Sequence, residues 1–128
     1  MNGHTVRKFR LSDKFISQYE DKKVPWGPVG YVTYKRTYSR RLDEKTPGAI
    51  GTEEWFQTCR RVIEGMFNMQ KQHVSHLGLE WNDAKAQQTA KEAYDRLFDL
   101  KWTPPGRGLW MMGTKFVEER TAAGLFNC

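Results

Sequence analysis

Apolar positions recur along the chain in two long helical patterns separated by short breaks. Trp55, Cys59, Val62, Ile63 and Met66 return at helical spacing, so a helix is expected from Thr52 to about Gln72. Thr52 is read as its cap, with Glu53 and Glu54 at the positive end of the helix dipole. Gly78 breaks this pattern. Asn82 and Asp83 open a second helix, with Ala86, Ala90, Ala93, Tyr94 and Leu97 on its buried face. That helix ends near Leu100, ahead of Pro104 and Pro105. Closer to the start, Ser12 precedes Asp13, Phe15, Ile16 and Tyr19, the pattern of a short capped helix.

Other segments are less periodic. Val24 to Gly30 carries Pro25, Gly27, Pro28 and Gly30 and reads as a structured turn or loop, with Trp26 anchored on the body. From Tyr31, valine, threonine and tyrosine favour a strand. Tyr31, Tyr34, Tyr38 and Leu42 nevertheless fall on one helical face, and a helix is chosen. Lys45 to Gly51 is a loop, and Thr103 to Gly108 is both stiff and able to take unusual angles. Leu109 to Met112 is a short apolar run. Leu125 and Phe126 begin what reads as a strand just before Cys128. A strand needs a partner for its backbone donors and acceptors, so the missing sheet is expected in another polypeptide or in sequence beyond this chain.

The 128 residues suit one ordinary domain. An aromatic content of 13% argues against disorder, while a mean hydropathy of -0.77 implies a small core with some apolar surface left for burial elsewhere. No apolar stretch reaches the ~18 residues of a membrane-spanning helix, and no apolar run follows the basic residues 1–10 as in a secretory signal. Two cysteines cannot make a disulfide framework, so a reducing, cytoplasmic setting and no membrane are expected.

The charge of +6 favours anionic partners without choosing among them. Arg7, Lys8 and Arg10 form one basic cluster. Lys35, Arg36, Arg40 and Arg41 form another, interleaved with Tyr31, Tyr34 and Tyr38. Basic residues mixed with aromatics can bind single strands by stacking and phosphate contact, so a small basic protein binding single-stranded nucleic acid is one reading. The other is a solvated helix face whose aromatics point into the core.

Candidate chemistry is sparse. Cys128, after Asn127, is open to exchange chemistry if its thiolate is accessible. The alternative is a free thiol with no role. Cys59 lies on an apolar helix face and reads as core, and a Cys59–Cys128 disulfide is not expected. His73 and His76 lack a third ligand of matching spacing and suit a helix-end role instead. Glu53 with Glu54, and Glu118 with Glu119, are sequence neighbours that point in different directions on a helix, so neither pair makes an acid/base dyad. Gly106-Arg107-Gly108 invites a phosphate reading but lacks the lysine and spacing of a P-loop.

Three ordered segments add more. They are Pro25-Trp26-Gly27-Pro28-Val29-Gly30-Tyr31-Val32-Thr33-Tyr34-Lys35-Arg36-Thr37-Tyr38-Ser39-Arg40, then Trp55-Phe56-Gln57-Thr58-Cys59-Arg60-Arg61-Val62-Ile63-Glu64-Gly65, then Pro104-Pro105-Gly106-Arg107-Gly108-Leu109-Trp110-Met111-Met112-Gly113-Thr114 followed by Asn127-Cys128. Together they resemble the N-terminus of the monomeric adenosylcobalamin-dependent (class II) ribonucleoside-triphosphate reductases, from about Phe15 to Cys128. The resemblance implies a mainly α fold. A helical N-terminal region, 1–101, would be followed by a segment, 102–128, that carries a substrate loop and opens the first strand of a ten-stranded α/β barrel absent from this chain.

It further implies that Cys128 is one of two thiols that reduce the ribose 2′ position and end as a disulfide, with Asn127 beside the substrate. Gly108 and Thr114 would line the substrate's phosphate side. Adenosylcobalamin would be bound by the remainder of the reductase chain, the substrate would be a ribonucleoside triphosphate, and a thioredoxin-type reductant would serve the disulfide. One thiol without its partner cannot deliver two electrons, so the segment alone is expected to be inactive. Three accounts of the end at Cys128 stay open: an intein junction, a separately encoded subunit that docks on the barrel, or a gene fragment.

Overall fold

The structure, a computed structural model, describes residues 7–40, 51–104, 109 and 112–113. In chain order it contains α1 (Asp13–Ser17), α2 (Pro28–Thr37), α3 (Trp55–His76) and α4 (Asp83–Phe98). The mainly helical character expected from the sequence holds, with no strand among the described residues. The expected strand at Leu125 and Phe126, and most of the Lys45–Gly51 loop, lie outside them.

α3 and α4 pack against each other and carry most of the core. The α3 face buries Trp55, Thr58, Cys59, Val62, Ile63 and Phe67; the α4 face buries Ala86, Ala90, Tyr94, Leu97 and Phe98. The small side chains Ala86 and Ala90 let the helices approach, while Tyr94 fills the space nearer the end of α4 and donates its hydroxyl to the Phe56 carbonyl at 2.8 Å.

The helix ends correct several expectations. Ser12 caps α1 as expected, accepting from the Phe15 N–H at 3.1 Å. Asn82 caps α4 by accepting from Lys85 N–H. Thr52, however, does not cap α3. Glu54 is the N-cap, and its N–H bonds the Gln57 side chain in a reciprocal capping box. Thr52 instead accepts from the Lys35 ammonium at 2.9 Å. α3 continues past Gln72 to His76 and stops before Gly78, whose φ of 73° suits a residue without a side chain. α4 ends at Phe98, and Leu100 turns the chain with a φ of 61°, which costs a residue bearing a Cβ about 1–2 kcal/mol.

The loop expected over Val24 to Gly30 is shorter, because α2 starts at Pro28. Proline fits the first helical turn, where its missing N–H is not needed. Trp26 is anchored as expected. It stacks on Tyr34 at 5.2 Å and tilts against Trp55 at 5.1 Å. Gly30 makes this possible, since a Cβ there would lie 2.9 Å from Trp26 Cβ.

Ahead of α1, Phe9 and Leu11 are buried against the helices. Their backbone is satisfied by side chains rather than a sheet. Phe9 N–H bonds Asn68, Leu11 N–H bonds Glu64 at 2.8 Å, and the Leu11 carbonyl accepts from Arg60.

Candidate functional site

Gly108, Thr114, Asn127 and Cys128, the site residues expected from the sequence, lie outside the described residues, as do Gly106 and Arg107. Within the Gly106–Thr114 loop, the structure describes Leu109, Met112 and Gly113. Leu109 and Met112, the two described residues of the apolar run read at 109–112, are buried against the body and contribute to the core.

What holds these residues is a polar cluster at the start of α3. Glu53, just before the helix, and Arg61, two turns into it, form a side-on pair. Arg61 Nε donates to Glu53 Oε2 at 2.9 Å and Nη2 donates to Oε1 at 3.1 Å. Both side chains are largely shielded, 12% exposed for Arg61 and 9% for Glu53. The guanidinium then reaches across to the loop. Nη2 donates to the Leu109 carbonyl at 2.6 Å and Nη1 to the Met112 carbonyl at 2.7 Å.

Glu53 has further partners. Oε1 accepts from the Arg40 N–H at 3.0 Å and from the Thr58 hydroxyl at 2.9 Å. Its main-chain carbonyl accepts from Tyr34, Ser39 and Lys35. Tyr34 and Thr58 also share a hydroxyl–hydroxyl bond. The end of α2, the start of α3 and, through Arg61, Leu109 and Met112 are therefore joined at one carboxylate residue. Burial raises the Tyr34 hydroxyl above its ordinary range; the group serves as a neutral donor.

Glycines complete the junction. A Cβ at Gly65 would lie 2.5 Å from Gly113 N, and one at Gly113 would lie 2.5 Å from the Arg61 carbonyl. Gly113 also has a φ of 79°. Beside the junction is a cleft of about 250 Å³, with Lys8, Arg10, Arg61, Glu64, Asn68 and Gly113 among its walls. It mixes both charge signs and is open to solvent.

The other candidates resolve as follows. Cys59 is fully buried, and burial pushes its thiol up, with the nearby Glu53 charge adding to the effect. This is the core residue expected. His73 and His76 are exposed in the last turn of α3. Of the aromatic and basic residues from Tyr31 to Arg41, Tyr34 is buried against Trp26 and Trp55, and Lys35 is tied to Glu54 at 3.0 Å. Neither is disposed to receive a base or a phosphate. Among the described residues, no helix is long and apolar enough to cross a membrane.

The partnership of Glu53 and Arg61 was not legible beforehand. Glu53 reads as a dipole partner, and Arg61 only as part of the motif at 55–65.

Comparison with known proteins supplies context for this junction. Residues 11–114 match the family described as the ribonucleotide reductase alpha domain. A probable adenosylcobalamin-dependent ribonucleoside-triphosphate reductase of Dictyostelium discoideum is 41% identical over 127 residues, covering 97% of this chain and 16% of that protein. The adenosylcobalamin-dependent ribonucleoside-triphosphate reductase of Euglena gracilis is 38% identical over 127 residues, covering 96% of this chain and 17% of that protein. That of Lactobacillus leichmannii is 38% identical over 119 residues, covering 92% and 15%. A crystal structure of a B12-dependent (class II) ribonucleotide reductase superposes with a TM-score of 0.73 at 36% identity, covering 93% of this chain and 16% of that one. The chain thus spans about a sixth of the length of the relatives it matches.

Proposed function

Because the chain belongs to the ribonucleotide reductase alpha-domain family, we propose that it is the N-terminal part of an enzyme that converts ribonucleoside triphosphates to 2′-deoxyribonucleoside triphosphates by thiyl-radical chemistry. The observation that carries this reading is the near-complete alignment of the chain, at 38–41% identity, with proteins named as adenosylcobalamin-dependent ribonucleoside-triphosphate reductases.

In this reading Cys128 is one of two reducing thiols. Its partner lies in the remainder of the reductase chain. The two thiols are oxidised together to a disulfide, their two electrons replace the ribose 2′ carbon–oxygen bond by carbon–hydrogen, and the oxygen leaves as water. Asn127 lies beside the ribose, and Gly108 and Thr114 border the phosphates, where glycine lets backbone amides approach an anion. A thioredoxin-type reductant reopens the disulfide. The helical region 1–101 then serves as a support, and 102–128 as the segment that enters the barrel. The cytoplasm suits such a protein, because a reducing compartment keeps Cys128 available as a thiol.

Adenosylcobalamin, when bound, supplies the radical initiator. The described residues do not form a seat for it. Clefts such as those of about 350 and 590 Å³ are open surface grooves, and the larger is bordered by charged groups including Arg7, Lys71 and Asp83. In this reading the remainder of the chain holds the cofactor, in keeping with the sixth of the relatives' length that this segment spans, and the segment supplies substrate contacts and one thiol.

The test is adenosylcobalamin-dependent reduction of a ribonucleoside triphosphate by the full-length reductase carrying this segment. Cys128→Ser is expected to abolish multiple turnover while leaving triphosphate binding intact. Full turnover in that variant would contradict the assignment.

A further inference from the structure

We infer that Arg61, fixed by Glu53, is a positioning residue that holds the backbone at Leu109 and Met112, between the two residues proposed for the phosphate side, and thereby sets the enzyme's affinity for its triphosphate substrate. This inference rests on the proposed function for the role of the loop, but its geometry stands on its own.

A guanidinium is planar, permanently charged and carries donors on more than one edge. Here one edge is locked by two bonds to the Glu53 carboxylate, and donors on the far side hold the Leu109 and Met112 carbonyls at 2.6 and 2.7 Å. Glu53 is itself held by the Arg40 N–H and the Thr58 hydroxyl, so the cation has little freedom to follow a moving loop. Two carbonyls three residues apart are thus tied to a fixed point on α3. Gly108 precedes the first of these residues and Thr114 follows Gly113, so the two residues assigned to the phosphate side flank the pinned stretch directly.

Stability alone does not account for this arrangement. Buried ion pairs are weak stabilisers, and well-packed apolar residues of similar volume often do as well. Apolar residues cannot, however, hold two carbonyl oxygens at a set place. The Gly65–Gly113 approach adds to the same function, since it lets the loop backbone lie directly on the helix.

The experiment uses the full-length reductase carrying this segment, with Arg61→Gln, Arg61→Lys and Glu53→Gln. Three quantities are measured: ribonucleoside-triphosphate binding at equilibrium, the split between KM and kcat, and amide hydrogen exchange by segment. Arg61→Gln is expected to weaken triphosphate binding about tenfold or more and to raise KM by more than it lowers kcat. Exchange in residues 109–113 is expected to rise while that of α4 stays slow. Arg61→Lys, whose single ammonium cannot meet the carboxylate and both carbonyls, falls between wild type and Arg61→Gln. Glu53→Gln gives the same pattern in weaker form. Unchanged exchange in 109–113, or faster exchange with unchanged triphosphate binding, overturns the inference. Turnover by the wild type reports on the proposed function separately: an enzyme that binds triphosphate through this loop but does not reduce it would refute that function while the binding and exchange data still judge the clamp.

Discussion

Gly65→Ala separates local preference from tertiary contact by the sign of its effect. Gly65 lies within α3, where alanine is favoured over glycine by about 1 kcal/mol. On that ground alone the substitution stabilises. The structure reverses the expectation. The new Cβ would fall 2.5 Å from Gly113 N, 2.7 Å from Gly113 Cα and 2.9 Å from Met112 Cγ. Two of these atoms are backbone and cannot rotate aside. Forcing extra volume into such a site costs about 1–3 kcal/mol. Lifting residues 112–113 off the helix instead would give up the bond from the Arg61 guanidinium to the Met112 carbonyl, at about 1.5–3 kcal/mol, and uncover Met112. Set against the helical gain of about 1 kcal/mol, a net loss of up to about 2 kcal/mol is expected. Urea unfolding followed by tryptophan fluorescence measures it, since Trp55 is buried. Gly78→Ala is the companion variant. Its Cβ would meet nothing within 4 Å, so any cost there comes from the φ of 73° alone. Stability of Gly65→Ala at or above wild type would refute the contact between α3 and the 112–113 segment.

The remaining predictions concern the core and its titrating groups. Stability is expected to fall at alkaline pH. The folded state keeps Cys59, Tyr34 and Tyr94 neutral by burying them, so each holds its proton above its ordinary value of 9.0 for the thiol and 10.0 for the phenols. The unfolded chain releases those protons first, so their contribution is intact below about pH 8 and drains away as pH rises through the thiol and phenol ranges; denaturant midpoints that stay level to about pH 10.5 would contradict this. Asn82→Ala removes the α4 cap and is expected to cost about 1 kcal/mol in an unfolding titration, with Asn82→Ser recovering most of it. Cys59→Ser, which places a hydroxyl in a fully buried apolar site, is expected to cost about 1–3 kcal/mol, and the wild-type Cys59 thiol is expected to resist a thiol reagent until the chain unfolds.

α3 and α4 could be read from sequence because a helix repeats its apolar face every three to four residues, and that signal is local. Cys59 was legible as core for the same reason. The start of α2 was not, since the glycines and prolines of 25–30 serve equally in a loop or at a helix start, and only the stacking of Trp26 on Tyr34 distinguishes them. Thr52 had the right chemistry for a cap but was drawn instead to Lys35, a residue from another helix.

The order of long motifs in the chain was enough to point to the reductase family; the roles of Cys128, Asn127, Gly108 and Thr114 belong to the proposed function. What tertiary structure alone decided is the junction beside that loop. Arg61 meets Glu53 across eight residues and Met112 across fifty-one. No periodicity records a contact made when the chain returns from so far away. A buried charge must find its partners wherever folding places them, and here folding places two carbonyl oxygens and a glycine against the first turns of α3.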